Sequence, residues 1–341
     1  MTGTRVALAL GSGGARGYAH IGVINELRDR GYQIVGIAGS SMGALVGGLH
    51  AAGALDQFAE WASTLSQRAV LRLLDPAWTG AGIFRAEKIL DVVRELLGDA
   101  TIESLPMTYT AVATDLMAGK SVWLQRGPLD AAIRASIAIP GMISPYILDG
   151  RVLVDGGILD PLPVAPLAGA HADLTIAISL NGEEAGDEAS EEATADDGEP
   201  PETRSGTEWL NRLLRSTSAL LETNAARSVL GRFGTTSEDG TVEQLAGEGD
   251  DVATASGMVP KLGGFEVMNR AIDIMQAALA RQHLSAYPPD ILIEVPRSAS
   301  RSLDFHRAAD VIDVGRGLAG RALDDYEGTP SAHEASAALE P

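Results

Sequence analysis

The chain contains no cysteine. Disulfides, thiol nucleophiles and thiolate metal sites are therefore excluded, and a reducing, cytoplasmic setting suits it. Aromatic residues are scarce, at 4% of 341 positions, so the 45% hydrophobic content must build an aliphatic core. That is enough chain for one large α/β domain or two modest ones. Positive charge is in deficit: 26 Lys and Arg stand against 46 Asp and Glu, a formal net charge of -20. Such a surface repels nucleic-acid phosphates, so no nucleic-acid partner is expected. Much of the excess is local, with ten acids and no Lys or Arg in residues 183–202. Long hydrophobic runs are also missing. Residues 1–10 hold a five-residue apolar stretch, too short for a signal-peptide core. Residues 36–55 lack formal charge, but six glycines together with Ser40, Ser41 and His50 suit a buried strand, turn and helix better than a membrane span.

What is present alternates between strand-like and helix-like segments. Short aliphatic runs predict strands at residues 5–10, 34–38, 109–114, 121–124, 174–180 and 291–295. Helical spacing of apolar residues predicts helices at 15–30, 42–52, 56–66, 86–97, 129–137, 265–286 and 303–323. Asp149-Gly150 between apolar runs predicts a hairpin joining 146–148 to 151–154. This alternation implies an α/β fold, a three-layer α/β/α sandwich with a mainly parallel sheet. Residues 1–180 read as the catalytic core. Residues 181–260 read as an acidic insert, largely loop or disordered, with one helix at 208–231 and a polar stretch at 235–256. Residues 261–325 then complete the domain with helices and a strand, and 326–341 form a frayed tail.

Three motifs carry chemistry. Gly39-Ser40-Ser41-Met42-Gly43 fits G-x-S-x-G between a strand and a small-residue helix, the setting of a nucleophile lifted clear of a sheet. Ser41 holds the central slot; a bland helix-capping serine is the competing reading. Gly11-Ser12-Gly13-Gly14-Ala15-Arg16-Gly17 follows the first strand and suits either pyrophosphate or an oxyanion. Read as G-x-G-x-x-G it puts Arg16 in the third glycine slot, and no acid closes the second strand, which disfavours a dinucleotide. As an oxyanion hole it offers the N–H groups of Gly13, Gly14 and Ala15, with Arg16 either adding charge or pairing with a structural carboxylate. A base is also needed. His20 and His50 fall inside expected helices, His333 in the tail, and His283 and His306 in packing or surface settings. Asp155-Gly156-Gly157 instead ends a strand and enters a glycine loop, and Asp149-Gly150 already supplies the local turn. Asp155 is the candidate base.

In this order, GSGGARG, GSSMG and DGG resemble the patatin-like phospholipase family. The stretches AVATDLMAG, IRASIAIPG, VDGGILDPLPV, PPDILIEV and LDFHRA resemble its bacterial RssA-type branch, related to the neuropathy target esterase domain. The resemblance covers residues 5–180 continuously and 265–323 more loosely. It implies a serine ester hydrolase with a Ser–Asp dyad: Ser41 as nucleophile, Asp155 as proton acceptor, and Gly13, Gly14 and Ala15 as oxyanion donors. No cofactor and no metal are implied. The implied partner is an acyl-ester or (lyso)phospholipid substrate, reached by peripheral contact with a membrane. An acyltransferase or thioesterase with the same dyad, or a regulatory protein on the same fold, are the alternatives. Ser12 departs from the glycine usual at its position in the family loop.

Overall fold

The computed structural model describes residues 3–73, 82–84, 87–182 and 264–328. The acidic insert, its expected helix at 208–231, and the tail beyond Gly328 lie outside the described residues.

The chain opens with β1 (Arg5–Leu10), a 3-10 turn (Gly14–Tyr18), α1 (Ala19–Asp29), β2 (Gln33–Ser40) and α2 (Met42–Ala51). It continues through α3 (Leu55–Ser63), α4 (Gln67–Leu73), β3 (Gly82–Phe84), α5 (Glu87–Leu97), β4 (Thr108–Asp115) and β5 (Lys120–Leu124). Then come α6 (Leu129–Ser136), β6 (Gly141–Ile143), β7 (Tyr146–Leu148), β8 (Arg151–Asp155) and β9 (Leu174–Gly182). After the insert follow α7 (Gly264–Ala286), β10 (Ile291–Pro296) and α8 (Ala308–Gly328).

The expected strands and hairpin are present. Both central hairpin residues take positive φ, 50° at Asp149 and 76° at Gly150, the conformation a two-residue hairpin turn needs. Four boundaries differ from expectation. The segment expected as one helix over 15–30 begins as a 3-10 turn, because its glycines do not hold an α-helical turn. The helix expected over 56–66 is followed by a separate α4. The last helix starts at Ala308, not 303, and runs to Gly328, into the expected tail. A β3–β6 ribbon went unpredicted; three residues per strand are too few to show a period.

The main sheet has eight strands in the order β10-β9-β1-β2-β4-β8-β7, with β5 also on β4. Its first five strands are parallel. Residues of β1 alternate between two apolar layers. Val6, Leu8 and Leu10 face the larger cluster with α1, α2, α3 and α8, while Ala7 and Ala9 face a smaller one built from residues 162–170 and Ala280 of α7. This is the α/β/α sandwich. Each fully buried leucine contributes about 1.5–3 kcal/mol through burial.

One detail of β4 positions the site. β5 occupies one edge of β4 from Ala111 to Asp115. On the other edge β2 pairs in parallel as far as Ser40 opposite Val112, and β8 takes over antiparallel with Asp155 opposite Ala113. The C-terminal tips of β2 and β8 therefore meet end to end.

Candidate active site

Ser41 follows the tip of β2 and precedes α2. Its backbone sits at φ 56° and ψ -121°, a conformation that strains any residue with a Cβ. Close packing enforces it: a Cβ on Gly43 would collide with the Leu10 carbonyl oxygen of β1. The Ser41 N–H donates to Ser136 Oγ at 3.0 Å, and that hydroxyl donates to the Val112 carbonyl at 2.6 Å. Ser136 is fully buried at the end of α6 and ties the elbow to β4. Sequence reasoning passed over it; its only signal was a place in IRASIAIPG.

Asp155 is 3% exposed. Its N–H donates to the Ala138 carbonyl at 2.9 Å, and its Oδ1 accepts the Gly157 N–H at 2.7 Å. The Ser41 side chain lies near enough to the carboxylate to favour its charged form, while Oδ2 makes no hydrogen bond of ordinary geometry. Such pairs commonly tighten only with substrate bound. Burial pushes the Asp155 carboxyl up to about 6, against the opposing pull of the Ser41 and Gly157 hydrogen bonds. Ser41 and Asp155, far apart in sequence, are thus brought together.

The glycine loop lies beside them. Gly14 has φ 58°, and a Cβ there would strike the Ser302 carbonyl. Gly13 and Gly14 lead the 3-10 turn, and their N–H groups make no hydrogen bond within the described part of the chain. Ala15 does not match the expectation of a third free donor: its N–H is taken by the Ser302 carbonyl at 2.9 Å. Arg16 is 3% exposed and pairs with Asp273 of α7 at 2.9 Å, so the structural carboxylate takes its charge.

The histidines hold other posts. His20 is fully buried, its Nε2 2.9 Å from the Gly11 carbonyl oxygen, and burial lowers it to about 4, leaving it a neutral donor. His283 Nδ1 lies 2.9 Å from Asp160 Oδ1.

Ser41, Asp155, Gly13 and Gly14 border a cavity of about 610 Å³ whose remaining walls are almost wholly apolar. Four aromatic residues, Tyr18, Phe58, Trp61 and Phe305, border it. Tyr18 lies 6.4 Å from Phe58 and 6.2 Å from Phe305, and Phe58 lies 5.7 Å from Trp61, between ring centroids.

A serine on a strained elbow, a strand-tip aspartate and a glycine loop on an α/β/α sandwich define a patatin fold. The patatin-like phospholipase family model matches residues 8–168. Uncharacterized NTE family proteins of Mycobacterium tuberculosis and Mycobacterium bovis are 62% identical over 342 residues, covering 95% of this chain and 92% of their own. The neuropathy target esterase sws of Drosophila melanogaster is 29% identical over 191 residues, 54% of this chain but 13% of that protein. The chain belongs to the patatin-like phospholipase family, among its NTE family proteins. Among the described residues no helix is long and apolar enough to cross a membrane.

Proposed function

We propose that the protein hydrolyses long-chain acyl esters, lipid or lysophospholipid, through a Ser41–Asp155 dyad. The meeting of Ser41 and Asp155 at the border of an apolar cavity carries this reading. At about 610 Å³ the cavity falls within the range of small-molecule sites and has room for an acyl chain. Burying an acyl chain there gains about 0.8 kcal/mol per methylene.

In the first step Asp155 accepts the Ser41 proton as Oγ attacks the ester carbonyl. The Gly13 and Gly14 N–H groups receive the oxyanion, worth about 3 kcal/mol per donor in the transition state. Collapse expels the alcohol or lysolipid oxygen, which takes the proton from Asp155. Water then attacks the acyl-serine, passes a proton to Asp155, and the free acid leaves as the proton returns to Oγ. A carboxylate raised to about 6 is a better base than an exposed one and is still ionised near neutral pH.

A lipid ester has to be drawn from a membrane or micelle, so peripheral contact belongs to this reading. Met275 of α7 supports it, since it lines the cavity and is still 57% exposed.

The test is hydrolysis of a p-nitrophenyl ester series by wild type, Ser41→Ala and Asp155→Asn, with fluorophosphonate labelling alongside. Loss of turnover in both variants and labelling at Ser41 are expected. Full activity in either variant overturns the dyad. Lipid profiling with the purified enzyme then identifies headgroup and chain length, and transfer of the acyl group to an added alcohol in preference to water would mark an acyltransferase.

A further inference from the structure

Ser12, the residue that departs from the family's glycine loop, has a specific use in this chain. It is 4% exposed and immediately precedes Gly13. Its Oγ accepts a hydrogen bond from the Gln276 Nε2 of α7 at 3.2 Å, and Gln276 is itself 7% exposed. The same two groups pack against Gly157. A Cβ at Gly157 would collide with Ser12 Oγ and stand 2.6 Å from Gln276 Nε2. Gly157 is also the residue whose N–H holds Asp155 Oδ1. The Ser12 N–H adds a backbone tie to the Pro161 carbonyl, 2.8 Å away, just beyond that loop.

The Gln276 amide therefore sits at the junction of two loops, one leading into Gly13 and Gly14, the other carrying Asp155. A hydrogen bond in so apolar a cavity is strengthened by its surroundings, and either group left alone there would be costly. The rest of α7 is fastened to the same region by polar links. Asp273, one turn before Gln276, pairs with Arg16 of the glycine loop, and His283, two turns after, meets Asp160 beyond Asp155. These positions share one helix face.

We infer that Gln276 is a positioning residue, which through Ser12 fixes the spacing between the Gly13–Gly14 donors and the Asp155 loop. This rests on the dyad proposed above. Gln276 does no chemistry of its own; its amide holds two partly independent loops in one register, as preorganised donors require.

The test uses Gln276→Leu, Ser12→Ala and the double variant, with Ser41→Ala as reference, all in the full chain. For a p-nitrophenyl ester, each single variant should lose about tenfold to a hundredfold in kcat, the scale of a misplaced site, with KM within about twofold of wild type. The fluorophosphonate labelling rate should fall in parallel. The double variant should be no slower than the worse single one, because both changes cut the same link. A circular-dichroism melt identifies any variant that fails to fold, and Ser12→Ala, the smaller change, then decides. Unchanged kcat, a loss confined to KM, or additive losses in the double variant overturn the inference. Turnover persisting in Ser41→Ala overturns the dyad, and this inference with it; an inactive Ser41→Ala beside a fully active Gln276→Leu overturns the inference alone.

Discussion

The Asp155 carboxylate is buried against the Ser41 hydroxyl with no cation of the described residues stabilising its charge. Ser41 and the Gly157 N–H are the groups that favour its ionised form, and burial outweighs them. The site thus keeps a carboxylate whose charge is costly to the fold.

Replacing Asp155 with Asn should make the protein more stable while abolishing turnover. The raised value of about 6, against 3.8 for an ordinary Asp, corresponds to about 3 kcal/mol of destabilisation at pH 8. The native state binds the extra proton between these values, so this cost disappears as pH falls from above 6 toward 3.8. Thermal melts should show Asp155→Asn ahead of wild type at pH 8 and the gap narrowing at pH 5. A lower Tm for the variant at pH 8 would contradict this account of the burial.

Activity should have an acid limb near pH 6, where Asp155 takes up its proton and can no longer accept one from Ser41. Below the limb, kcat/KM falls about tenfold per pH unit. A pH–rate profile of wild type checks this; a limb near pH 4 would mean that the base is some other group, or that this carboxyl is less desolvated.

Ser136→Ala should weaken both the fold and the catalyst. It leaves the strained Ser41 N–H and the Val112 carbonyl without their shared hydroxyl, at a cost of about 1–3 kcal/mol. The expected signature is a lowered Tm and a reduced kcat, with Ser136→Thr recovering part of each. An unaffected melt would show that the elbow holds without this tie.

Leu45 stands one helical turn beyond Ser41 and lines the cavity. Leu45→Trp should shift the p-nitrophenyl ester preference toward shorter acyl chains and leave acetate hydrolysis within about threefold of wild type, since the added bulk obstructs the chain and not the carbonyl. An unchanged chain-length profile would mean that the acyl group lies along a different wall.

The sequence made the site's parts legible where local geometry dictates residue type. The elbow needs small residues around Ser41 because α2 crosses β1 at Gly43, and a hairpin needs Asp149-Gly150, so both are visible as patterns. Asp155 was found because one DG pair could be assigned to the turn and the other had none to make. Long-range links left no such mark. Ser136 and Gln276 are ordinary helical residues until α6 and α7 fold against the loops, and nothing in a glycine-rich run reveals that the Ala15 N–H will be claimed by Ser302, nearly the whole chain away. Short β3 and β6 escaped notice for the same reason: their pairing is tertiary, and three residues carry no period.

That no cation among the described residues faces Asp155 also bears on how a turnover would end. The proposed reaction turns a neutral ester into a carboxylic acid beside that carboxylate, and the acid becomes an anion once its proton passes to water. Two like charges so placed repel strongly. The substrate, being uncharged at its carbonyl, meets no such opposition on the way in. The buried aspartate proposed to start the chemistry would then act as an ejector, biasing the cavity toward esters and against accumulation of the acids it releases.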